Sequence, residues 1–120
     1  MALAQLFAAV AAADYDSALA WYERLLGRPA DFFPKENEAV WQVAPTGWIY
    51  LVGDASRAGN ALLTIMVDDL EDQVSELAER GLAAEAIETV PELFRRAQIN
   101  DPDGNMITFA EDLSTDAKTN

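Results

Sequence analysis

The sequence contains no cysteine and no histidine, and each absence excludes a class of chemistry. Without cysteine there is no disulfide framework, no thiolate metal site and no cysteine nucleophile. Without histidine the chain lacks the commonest catalytic base near neutral pH and the commonest ligand of zinc, iron and nickel. Basic residues are scarce: 8 Lys and Arg stand against 21 Asp and Glu, a formal charge of -13. Such a chain repels nucleic-acid phosphates and anionic membrane surfaces, so neither is an expected partner. Its acidic field favours a cationic small molecule or a basic partner, and it also promotes solubility. No apolar run approaches the roughly 20 residues needed to span a bilayer. The start Met1-Ala2-Leu3-Ala4-Gln5 lacks the basic region of a secretory signal, so a cytoplasmic location is expected.

What is present is the composition of a folded domain, with 51% apolar and 24% charged residues in 120. That length suits one hydrophobic core. Strand, acidic cap, amphipathic helix and terminating glycine occur in this order twice. In the first copy the apolar stretch Leu6 to Ala12 leads to Asp14-Tyr15-Asp16-Ser17. Ala18, Leu19, Tyr22, Leu25 and Leu26 then recur at helical spacing before Gly27, predicting a helix over about residues 15 to 26. In the second, Leu62 to Val67 reads as a strand and Asp68-Asp69 as the cap. Leu70, Val74, Leu77 and Ala78 form the apolar stripe, and Gly81 ends the helix.

Three short strands are expected after each helix: Ala30 to Phe33, Ala39 to Val43 and Trp48 to Val52, then Ala83 to Glu88, Leu93 to Ile99 and Met106 to Glu111. The turn-rich stretch Gly53 to Asn60 separates the halves. The expected fold is therefore α+β: two βαβββ modules, residues 1–53 and 60–111, in a single domain of residues 1–111. The polar tail, residues 112–120, lacks periodicity and is expected to fray. Asp101-Pro102-Asp103-Gly104-Asn105 reads as a hairpin connection, with Gly104 free to take a positive φ.

Three segments carry a family resemblance: Ala18-Leu19-Ala20-Trp21-Tyr22-Glu23-Arg24-Leu25-Leu26-Gly27, Val67-Asp68-Asp69-Leu70 with its helix to Arg80-Gly81, and the turn Asp101 to Asn105 before the last strand. In order and spacing the chain resembles the vicinal oxygen chelate superfamily, which includes glyoxalase I, extradiol dioxygenases and fosfomycin- and bleomycin-resistance proteins. The resemblance covers nearly the whole chain. It implies two modules whose curved sheets enclose a cavity, with metal ligands on the first and fourth strand of each module. Counting seven residues back from Asp14 and Asp69 puts the family's two histidine positions at Phe7 and Leu62; the two fourth-strand positions fall at Tyr50 and Thr108. This set cannot hold a divalent metal at neutral pH. No metal or other cofactor is therefore expected, and the family's metal-dependent activities are disfavoured.

Side chains alternate along a strand. Ile49, Leu51, Leu63, Ile65, Val67, Ile107 and Phe109 suit the helix side, which leaves Phe7, Trp48, Tyr50, Leu62, Thr64, Met66, Met106 and Thr108 to line the cavity. Trp41 is a further candidate, although the parity of its strand is undetermined. Arg95 and Arg96 point to opposite faces, so only one can enter; Arg95 occupies a position that is often arginine in similar family members, six before the turn, and could hold an anionic group. The leading expectation is a metal-independent binder of an aromatic or cationic small molecule, similar to bleomycin-resistance proteins that sequester a drug, in a homodimer. The alternatives are an enzyme with Tyr50 as proton donor and Arg95 as electrostatic clamp, and an interaction module whose cavity is filled by its own side chains.

Overall fold

The computed structural model describes residues 2–114. Its first strand, β1 (Leu6–Ala12), leads into α1 (Tyr15–Leu26), β2 (Glu38–Ala44) and β3 (Gly47–Gly53); β4 (Leu62–Met66), α2 (Leu70–Glu79), β5 (Glu88–Val90), β6 (Phe94–Asn100) and β7 (Met106–Asp112) follow. The result is a mixed α+β fold with a three-stranded sheet ordered β1-β3-β2 and a four-stranded sheet ordered β4-β7-β6-β5. In each sheet the first strand runs parallel to the last of its half, and the other pairs are antiparallel. Two units are distinguished by their contacts: residues up to Ala61 together with Asp101–Asn105, and Leu62–Asn100 with the residues from Met106 onward.

The helices begin and end where the caps dictate. Asp14 is extended, and its carboxylate accepts the Ser17 N–H; Gly27 closes α1 at φ 78 and donates to the Glu23 carbonyl. Asp69 caps α2 in the same way through the Asp72 N–H. Ala18, Trp21, Tyr22 and Leu25 form the buried stripe of α1, which packs on the face of the first sheet that carries Ile49 and Leu51. Helix α2 packs on β6 and β7, where Ala97, Ile99, Ile107 and Phe109 are buried.

Two expected strands are largely absent. The stretch Ala30 to Phe33 makes only an isolated bridge, Phe32 to Val40. Pro29 and Pro34 on either side cannot donate to a ladder, and the Asp31 carboxylate takes the Gln42 N–H that a continuing strand would have bonded, at 2.6 Å. Ala83 to Ile87, rich in residues of low strand propensity, makes one bond from the Glu85 N–H to the Gln98 carbonyl, and pairing is confined to Glu88–Val90. The expected polar tail starts later than residue 112, because Asp112 is the last residue of β7, paired with Phe94, and the Leu113 N–H donates to the Leu93 carbonyl; residues 115–120 lie outside the described residues.

The turn Asp101 to Asn105 is an anchor for the first unit. The buried Asp101 carboxylate accepts the N–H groups of Asp103 and Asn105 on Oδ1, and the Tyr22 hydroxyl and Asn105 Nδ2 on Oδ2. Asn105 also donates to the Ala11 carbonyl and accepts from Ala61 N–H. Every lone pair that burial would penalise is thus matched by a donor. Burial pushes the Tyr22 phenol far above its ordinary range, and the hydrogen bond to Asp101 adds to the shift.

Candidate functional site

In the first unit the strand register decides which side chains share the face turned away from α1. Phe7 is opposite Trp48 and Ala9 opposite Tyr50, while on β2 Gln42 and Val40 are the partners of Trp48 and Tyr50. Phe7, Trp48 and Tyr50 therefore lie on one face, spaced by the small Ala9. The Phe7 and Trp48 rings stack with centroids 5.5 Å apart and planes within 13°. Phe32 meets Trp48 edge-on at 6.1 Å. The Trp48 indole N–H donates to Gln5 Oε1 at 2.6 Å, fixing the ring without using its face. Phe7 is 48% and Phe32 45% exposed, an unusual placement for neighbouring aromatic rings on one sheet.

Trp41 is not on this face. It pairs with Ile49, is fully buried, and places its ring 6.3 Å from that of Tyr22 under α1. Its indole N–H is held by the Arg28 carbonyl at 3.0 Å. Trp41 is a core residue, because the row that contains Ile49 and Leu51 is the row that the helix covers.

In the second unit Leu62, Thr64 and Met66 on β4 pair with Met106, Thr108 and Ala110 on β7. Asn100, Gln98 and Arg96 continue the same rows onto β6. Leu62 is 77% and Met66 58% exposed, whereas Thr108 in the middle of the sheet is buried. Arg95 belongs to the opposite face: it continues the row of Ala97 and Ile99 toward α2 and pairs with Glu71 there at 2.7 Å. The hydrogen bond to Glu71 raises its already high pKa. Arg96, not Arg95, is the arginine on the face of Leu62 and Thr108, where it binds Glu88 at 2.6 Å.

The family's four ligand positions do not fit a metal. In the first unit Phe7 offers no donor and Tyr50 only a phenol oxygen; in the second Leu62 offers none and Thr108 a hydroxyl. Among the described residues no group of three or more histidine, cysteine or carboxylate side chains is disposed to hold a metal ion. The arrangement is suited instead to stacking. Phe32 is the lining residue that the sequence reading missed; its signal was a pair of phenylalanines in a stretch bounded by prolines, Phe32-Phe33-Pro34.

The family model described as Glyoxalase/Bleomycin resistance protein/Dioxygenase superfamily matches residues 4–109. Among solved structures, a glyoxalase/bleomycin resistance protein from Catenulispora acidiphila DSM 44928 is 43% identical over 89% of this chain and 96% of its own, with a TM-score of 0.85. TnmS3, an antibiotic binding protein from Streptomyces sp. CB03234, is 24% identical over 93% of this chain and 98% of its own, with a TM-score of 0.76. A bleomycin-binding protein complexed with bleomycin is 20% identical over 90% and 98%, with a TM-score of 0.73. At these identities the last two establish a shared fold. No curated protein matches the chain.

Proposed function

Since this chain belongs to the glyoxalase/bleomycin resistance protein/dioxygenase superfamily, we propose that it binds an aromatic or cationic small molecule without a metal and releases it chemically unchanged. The observation that carries this reading is the exposed stack of Phe7 on Trp48, with Phe32 at its edge. Its rings are held in place before any ligand arrives, so little side-chain freedom is lost on binding. A flat ring added to such a stack gains about 0.5 to 1.5 kcal/mol beyond the area it buries. A cation over an aromatic face gains about 0.5 to 2 kcal/mol, according to its desolvation. The formal charge of -13 draws cations toward the protein. Solved relatives of the same fold that bind an antibiotic or bleomycin make drug sequestration a natural form of this activity.

An enzyme clamping its substrate with Arg95 is less well supported, because that guanidinium is turned toward α2 and paired with Glu71. The exposed Leu62 and Met66, on one face of β4, favour a homodimer that covers them.

The test is calorimetric titration with bleomycin and with proflavine, a plain planar cation, followed by mass spectrometry of the recovered ligand. Saturable binding is expected for at least one of them, with the ligand recovered intact. Trp48→Ala weakens it by about tenfold or more, equivalent to about 1.4 kcal/mol, and Arg95→Gln leaves it unchanged. A transformed ligand, or full affinity in Trp48→Ala, overturns the reading.

A further inference from the structure

An open groove of about 380 Å³ in the second unit is lined by Glu85, Ala86, Glu88, Arg96 and Gln98. Alternation on β6 puts Arg96 and Gln98 on one face, roughly 7 Å apart, and the β5 register sets Glu88 directly opposite Arg96. Two contacts fix the guanidinium. Its Nε donates to Glu88 Oε1 at 2.6 Å, and its central carbon lies over the Phe94 ring, 5.4 Å from the centroid. The Nη1 and Nη2 groups have no partner among the described residues. A second carboxylate stands nearby: the Glu85 N–H donates to the Gln98 carbonyl at 2.8 Å, which ties this loop residue to β6. The Glu85 side chain has no ion-pair partner among the described residues.

An exposed pair such as Arg96 with Glu88 does little for stability by itself. What a simple surface pair does not explain is a hollow holding an oriented guanidinium with a free donor edge, a second acid and an amide. The charges of Glu85, Glu88 and Arg96 sum to -1. A simple anion would meet two carboxylates, and a simple cation would leave the guanidinium donors unmatched. The complementary ligand carries one carboxylate and two cationic groups. The planar Nη edge suits a carboxylate in bidentate geometry, and Glu85 and Glu88 suit ammonium or guanidinium donors.

We infer that the groove formed by Glu85, Glu88, Arg96 and Gln98 is a binding site for a basic α-amino acid. Its carboxylate lies on the Nη edge of Arg96 and its cationic groups on Glu85 and Glu88, with Gln98 between them. None of its residues belongs to the first unit, and none takes part in the Phe7 and Trp48 stack.

Amide chemical shifts followed by two-dimensional NMR during titration with L-arginine test this directly. Saturable shifts are expected at Glu85, Ala86, Glu88, Arg96 and Gln98, with a Kd on the order of 1 mM or tighter. Agmatine, which lacks the carboxylate, binds about tenfold more weakly, and Arg96→Gln weakens L-arginine by about the same factor. Should Arg96→Gln disturb the spectrum as a whole, Glu85→Gln, a change in an exposed loop, must give the comparable loss. Trp48→Ala leaves L-arginine binding intact, which separates this site from the aromatic one. Equal binding of agmatine, saturable shifts only at other residues, or shifts that rise linearly without saturation overturn the inference.

Discussion

Tyr22 reaches Asp101 across 79 positions of sequence, its hydroxyl donating to Oδ2 at 2.7 Å in a buried setting. Tyr22→Phe removes that donor and leaves a buried carboxylate oxygen with Asn105 Nδ2 as its remaining bond on that side. A loss of about 1 to 3 kcal/mol is expected, read from urea unfolding. The pH dependence has a definite sign. The folded pKa of Tyr22 lies above the unfolded value of about 10, so its contribution is complete below pH about 10 and is lost as the pH rises further and the unfolded chain ionises first. Tyr22→Phe should flatten this alkaline decline, leaving the smaller part due to Tyr15, whose pKa burial also raises. The residue scale is also where the sequence was least legible. Ala39, Val40 and Trp41 are consecutive apolar residues, so alternation could not say which face of β2 Trp41 occupies. Arg95 and Arg96 are identical side chains on opposite faces. Only the placement of Glu71 on α2 and Glu88 on β5 distinguishes them.

Among the elements, the helices were readable because each boundary has a local cause: Asp14 and Gly27 for α1, Asp69 for the start of α2. The strands β3, β4 and β7 were readable in extent, since each is a run of β-branched, aromatic and other apolar residues bounded by turn signals. The phenylalanine pair between prolines was not, because its order comes from Asp31 holding Gln42 and from the Val40 bridge, both distant in sequence. Nor does sequence order reveal that Asp101–Asn105 is held within the first unit. Gly59 serves that anchorage. It has φ +93, and a Cβ there would lie 2.7 Å from the Asp103 carbonyl oxygen. Gly59→Ala is therefore expected to cost more than about 1 kcal/mol, measured by thermal or urea unfolding. The aromatic face, built on β1 and β3, should still bind its ligand at temperatures where the variant remains folded.

For the whole molecule, charge and exposed apolar surface act in opposition. Copies that each carry -13 repel one another, whereas Leu62 at 77% exposure and Leu6 at 72% gain by being covered. The proposed homodimer should therefore tighten with salt, as the screening length falls from about 10 Å at 0.1 M to about 3 Å at 1 M. Light scattering is expected to give twice the mass of the chain, and Leu62→Glu to return it toward a single chain. A wild-type protein of single-chain mass at every salt concentration would exclude the dimer. The hydrogen bond from Trp48 to Gln5 has an optical consequence. Trp21 and Trp41 are buried, while Trp48 is half-buried with its indole N–H bonded to a side-chain amide. Two fluorophores thus sit in apolar surroundings and one at the water boundary, so the native emission should divide into a blue part closed to acrylamide and a redder part open to it. Iodide, repelled by the acidic surface, should quench that redder part less than neutral acrylamide does. The protein then carries a reporter at its aromatic face with no label added.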